Sequence, residues 1–174
     1  MISSGPDTAI LAVGLGNPLM ADDGFGSRVI GALQEIALPP AVSLSVAPDI
    51  LYLKSFWRGQ ARVWLFDAVE RGAPPGTLHF FDHDEVTRLR TNNSSTHHLD
   101  FGGGLRWLLH ATPELRGVRF QLWGAEPERV MPLHGLSPRV EAGVGKVVEG
   151  VLEAIRSARH KTPDAATTSV PVAR

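Results

Sequence analysis

The chain has 174 residues, 43% of them hydrophobic, with Lys+Arg 17 set against Asp+Glu 18 and no cysteine. That length makes one ordinary domain with a single core between two helical layers, and the net charge of -1 supplies no general electrostatic drive toward RNA or DNA. Without cysteine, a thiolate nucleophile, a disulfide framework and a thiolate zinc site are excluded by chemistry.

The N-terminal stretch from Met1 to Asp7 lacks a basic segment followed by an apolar run, and nothing reaches the length of a membrane span. A soluble, cytoplasmic protein without membrane insertion is therefore expected. Ala9 to Leu15 reads as a buried strand, and Phe25, Val29, Leu33 and Ile36 then recur at helical spacing. The two are joined by a glycine-rich loop ending in adjacent carboxylates, Asp22 and Asp23. Pro39-Pro40 breaks the chain, Val42 to Val46 alternates like a strand, and Asp49 to Trp57 is predicted as a helix entered through Pro48. Arg62 to Phe66 is an apolar strand ending at Asp67, and Pro74-Pro75-Gly76 turns the chain into a short strand from Thr77 to Phe81. His97 to Leu109 is predicted as a helix, Val118 to Trp123 as a strand, and Ser137 to Arg156 as a long helix with Val140, Val144, Val147, Val151 and Ile155 along one side. Strands alternating with helices predict an α/β fold, a three-layer αβα sandwich with a mainly parallel central sheet. Residues 1–157 are expected to form the single domain and 158–174, which lack periodicity, a disordered tail. No internal repeat is present.

In such a sheet ligands bind beyond the carboxyl ends of the strands. Asp23 lies just past the first strand and Asp67 at the end of another, so both fall on that edge, where two acids suit a cation. A competing role for Asp22 and Asp23 is helix capping, which stabilises by about 0.5–2 kcal/mol, and for Asp67 a turn before Arg71-Gly72. Asn92 to His98 is a polar run that opens a helix. One histidine with two carboxylates is a donor set for nickel, zinc or another first-row divalent metal with positions left open. A rival cluster, His79, Asp82, His83 and Asp84, sits on a hairpin and just after it, where mixed polar residues are ordinary; His134 reads as a loop residue. No serine lies in a G-x-S-x-G elbow. A dinucleotide fingerprint also fails, because Leu19 stands where its third glycine is required.

Gly14-Leu15-Gly16-Asn17-Pro18 resembles the opening of bacterial peptidyl-tRNA hydrolases, which continue with another glycine, a tyrosine and an arginine-histidine-asparagine stretch. Here the chain turns instead to Leu19-Met20-Ala21-Asp22-Asp23-Gly24. Four segments in order resemble the nickel-iron hydrogenase maturation proteases: Gly14 to Gly26; Phe66-Asp67-Ala68 followed by Gly72 to Thr77; Ser95-Thr96-His97; and Gly135-Leu136-Ser137-Pro138 before the last helix. The resemblance implies an endopeptidase that removes a C-terminal extension from the hydrogenase large subunit after nickel insertion. It further implies that Asp23, Asp67 and His97 are the metal ligands and catalytic residues, with His97 preferred to His98 because it directly follows the Ser/Thr pair. Nickel is then cargo, carried by the precursor and bound transiently, and the partner is the nickel-loaded large-subunit precursor, engaged by a monomer. A non-catalytic, nickel-dependent chaperone of the same subunit is the first alternative reading, and a peptidyl-tRNA hydrolase-like enzyme the second. The chain departs from the family at Ala47-Pro48-Asp49-Ile50-Leu51-Tyr52, where a Gly-Thr stretch is usual, and at Asp100, where many relatives are smaller.

Overall fold

The computed structural model describes residues 9–89 and 101–160. Five strands, β1 (Ile10–Leu15), β2 (Val42–Ala47), β3 (Arg62–Ala68), β4 (Leu78–Phe81) and β5 (Arg119–Ala125), form one sheet in the order β2-β1-β3-β5-β4. The first four in that order run parallel, and β4 closes the edge antiparallel to β5. The helices are α1 (Phe25–Gln34), α2 (Leu53–Phe56), α3 (His83–Arg88), α4 (Phe101–Ala111) and α5 (Pro138–His160).

Strand alternation feeds two separate cores. Ile10, Ala12, Trp64, Phe66 and Trp123 point to one face, where Phe25, Val29 and Leu33 of α1 and Val140, Val144 and Val151 of α5 bury them. Leu11, Val13, Val63, Leu65, Phe120 and Leu122 point to the other, under Leu53, Val86, Leu105 and Leu108 from α2, α3 and α4. A strand covered on both sides must be apolar at every position, and β1 is buried throughout. This is the three-layer sandwich the sequence predicts.

Several elements differ from the sequence reading. Asp49 to Trp57 is not one helix: Asp49 accepts the Leu51 N–H at 2.8 Å and caps a 3₁₀ turn at Ile50–Tyr52, from which the four-residue α2 follows. β3 runs on through Asp67 to Ala68. β4 is no hairpin partner of β3, because β5 lies between them. α3 was not expected; it is entered through a capping box in which Asp82 accepts the Glu85 N–H at 3.0 Å and the Glu85 carboxylate accepts the Asp82 N–H at 2.9 Å. α5 continues to His160, past the expected boundary at 157; the tail from 161 lies outside the described residues.

The start of α1 lies directly on the sheet. A Cβ on Gly26 would collide with the Phe66 carbonyl oxygen and lie 2.5 Å from the Leu15 nitrogen, and one on Gly14 would collide with the Gly26 carbonyl. Gly26→Ala is accordingly expected to destabilise the fold by about 3 kcal/mol, read as a lower denaturation midpoint with unchanged slope.

Candidate active site

The loop between β1 and α1 closes on itself. Gly16 has φ +98°, and a Cβ there would strike the Asp23 carbonyl oxygen, so glycine is required on both counts. The Asn17 N–H donates to Asp23 Oδ2 at 2.7 Å, while Asn17 Oδ1 accepts the Leu19 N–H at 2.9 Å. Asp23, half-buried, is thereby held against the start of its own loop. Among the described residues its second oxygen has no hydrogen-bond partner.

Asp67 lies beside Gly124 in the β3–β5 register, near the carboxyl end of the sheet. Burial first, and then the negative charge of Asp23, push its carboxyl up to about 8 against the opposing effect of the Ala68 N–H. Asp23 therefore lies within electrostatic reach of Asp67, and its charge disfavours ionisation there. A divalent cation between them would remove that repulsion. His97, His98 and Asp100 lie outside the described residues. Among the described residues no three acidic or histidine side chains form a group able to hold a metal.

Asp22 does something else. It is fully buried, and no side-chain bond from it caps α1. Its carboxylate instead accepts three backbone N–H groups from a distant segment: Glu128 at 2.9 Å and Arg129 at 3.0 Å on Oδ2, and Ser137 at 2.6 Å on Oδ1. Burial alone would raise its carboxyl, but the N–H bonds from Ser137, Arg129 and Glu128 outweigh that and hold it below the usual carboxylate range. Asp22 is thus a clamp between the turn bearing Asp23 and the segment 128–137, a role that capping propensity does not suggest.

A further carboxylate that the sequence reading does not single out, Glu126, stands immediately after β5. It is 5% exposed and accepts the N–H groups of Arg71 and Gly72 at 2.9 Å each and His79 Nε2 at 3.0 Å. Burial opposes its charge, yet these bonds hold its carboxyl low. Glu126 so braces the loop that follows Asp67, and a cleft of about 430 Å³ opens beside it between Arg71, Gly72, Glu128 and Arg129. The rival cluster dissolves into structural roles: His79 pairs with Glu126, Asp82 caps α3, and His83 Nδ1 accepts the Phe120 N–H at 3.0 Å.

Two outcomes follow from these environments. Asp22→Ala strands three N–H groups and is expected to lower stability by on the order of 4 kcal/mol, measured by chemical denaturation. For Asp67 the folded-state proton affinity is raised, so its favourable contribution is complete below the unfolded pKa and disappears as pH rises through about 8. Asp67→Asn is therefore expected to be more stable than the parent above that pH by on the order of 1 kcal/mol or more, with the gap closing under acid conditions. Paired melting curves across pH check the sign.

Comparison with known proteins points, in sequence and in overall fold, to one family. The family model described as hydrogenase maturation protease, HycI, matches residues 47–154. The hydrogenase 2 maturation protease of Escherichia coli is 34% identical over 150 residues, covering 84% of this chain and 90% of that protein. The hydrogenase expression/formation protein HoxM of Cupriavidus necator is 33% identical over 151 residues, covering 84% and 74%. Among solved structures, the hydrogenase maturating endopeptidase HybD from Escherichia coli superposes with a TM-score of 0.72 at 30% identity, covering 86% of this chain and 93% of that one. In sequence and in architecture alike, the chain belongs to the hydrogenase maturation protease family.

Proposed function

We propose that this chain is the endopeptidase that removes the C-terminal extension of a nickel-iron hydrogenase large subunit once nickel has been inserted, acting as a cytoplasmic monomer on the loaded precursor. The observation that carries the reading is the nearness of Asp23 to Asp67 on the carboxyl edge of the sheet, where burial and then the Asp23 charge raise the Asp67 carboxyl to about 8. Such a pair is poised for a cation it does not need for folding. His97, four residues ahead of the first described residue of α4, is the third ligand in this reading. Asp67, at the end of β3, alternates toward the face that α4 covers, because Val63 and Leu65 share a core with Leu105 and Leu108.

The metal reaches the site as part of the substrate. Oxygen and nitrogen donors without a thiolate give an open, weakly holding set, and the precursor's own cysteines complete the coordination. Docking the nickel then fixes the adjacent peptide over the ligand edge, converting metal recognition into positioning of the scissile bond. Hydrolysis adds water across that bond, releasing a new carboxylate on the subunit and an amine on the extension. Nickel engagement favours the ionised form of a carboxyl that burial holds above the usual carboxylate range, so docking is expected to release a proton.

The test is the mass of the large subunit after incubation of nickel-free and nickel-loaded precursor with this protein. Cleavage of the loaded form alone is expected, and Asp67→Asn or His97→Ala is expected to lower the rate by roughly a thousandfold or more. Equal cleavage of both forms would reject nickel as the licence. Tight binding of the loaded form with no cleavage would favour the chaperone reading instead.

A further inference from the structure

Four large apolar side chains stand exposed beside the Asp23 turn: Leu19 at 57%, Met131 at 50%, Leu133 at 43% and Val130 at 38%. They come from two segments more than a hundred residues apart that are tied together by backbone bonds. The Leu133 N–H donates to the Leu19 carbonyl at 3.1 Å, and the Ala21 N–H donates to the Leu133 carbonyl at 2.7 Å. Asp22 anchors the same junction from below. An apolar cluster on a loose loop would turn inward, whereas this one is fixed in water from both sides. Next to it, Pro18, Ala21, Gly24 and Leu136 line a shallow cleft of about 300 Å³ bordered by the Arg28–Glu141 ion pair at 2.8 Å.

We propose that Leu19, Met131 and Leu133 form a docking shelf for an apolar, uncharged segment of the precursor next to the scissile bond. The proposal rests on the protease reading, which makes the precursor the occupant. Continuity with the ligand edge identifies it: Leu19 and Asp23 belong to one hydrogen-bonded turn, so a peptide lying over Asp23 and Asp67 extends onto the shelf. Charge agrees with an uncharged segment, because the nearby Glu128 and Arg129 carry opposite signs and select neither. A second copy of the chain seated here would cover the edge that the substrate has to reach. Exposed apolar side chains gathered on bonded segments are the kind of surface that marks interaction sites.

The test compares the parent with Leu19→Ser, Leu133→Ser, the Leu19→Ser/Leu133→Ser double variant and the conservative Leu133→Met. Calorimetry gives the Kd for nickel-loaded precursor, and cleavage gives KM and kcat. The double variant is expected to weaken Kd and raise KM by roughly tenfold, with kcat within about twofold and an unchanged melting temperature, while Leu133→Met retains parental values. Unchanged Kd in the double variant would overturn the shelf, as would a parental dimer in sedimentation that the serine variants dissociate. If the parent binds loaded precursor without cutting it, the protease reading fails while Kd still decides the shelf.

Discussion

The absence of two methyl groups sets the geometry of this protein. Gly14 on β1 and Gly26 at the start of α1 let the helix settle onto the backbone of Leu15 and the carbonyl of Phe66, an approach that any side chain would block. Because Phe66 immediately precedes Asp67, the contact that seats the helix also brings the turn before it to the end of β3. Asp23 and Asp67, distant in sequence, become electrostatic neighbours as a by-product of helix–sheet packing. Gly16 then lets the loop fold back so that Asp23 rests on the Asn17 N–H. The closeness of these two acids is thus a consequence of packing rather than an addition to it.

Two carboxylates, Asp22 in that loop and Asp67 near the end of β3, meet opposite fates because of what surrounds them. Asp22 is fully buried but finds three backbone donors, so its charge is stabilised and it serves structure. Asp67 is shielded with little compensation and faces another acid, so its charge is penalised. Environments that drive similar groups apart in this way commonly separate supporting from reacting residues. The same asymmetry implies a stability cost at Asp67, the kind of conflict with local physics that functional sites retain.

Much of the fold was legible because apolar runs and helical spacing are local. β1, β3, α1 and α5 lie within a few residues of their expected bounds, and Asp67 stands near the end of an apolar strand as the sequence predicts. What the sequence hid was non-local. Nothing near Leu78 reveals that β4 pairs with β5, and nothing near Asp22 reveals donors 106 to 115 residues away. α3 escaped because six residues carry too little periodicity, although the Asp82–Glu85 spacing of its capping box was available. Glu126 escaped for a different reason: the rule that selected Asp67 applies equally to an acid after Trp123-Gly124-Ala125, and it was not extended to β5. His79 and His83, grouped with Asp82 by proximity in sequence, bond to Glu126 and Phe120 instead.

The long reach of Asp22 has a bearing on how the protein comes into being. Its three donors, at Glu128, Arg129 and Ser137, leave the ribosome more than a hundred residues after the carboxylate they satisfy. A nascent chain can pair β1 with β2 and dock α1, but its Asp22–Asp23 turn keeps an unsatisfied acid until nearly the whole domain has been synthesised. Contacts of such wide separation close late and slowly. Competence therefore arrives together with completion of the fold, and a truncated or half-folded copy presents neither a settled Asp23 nor the surface beside it.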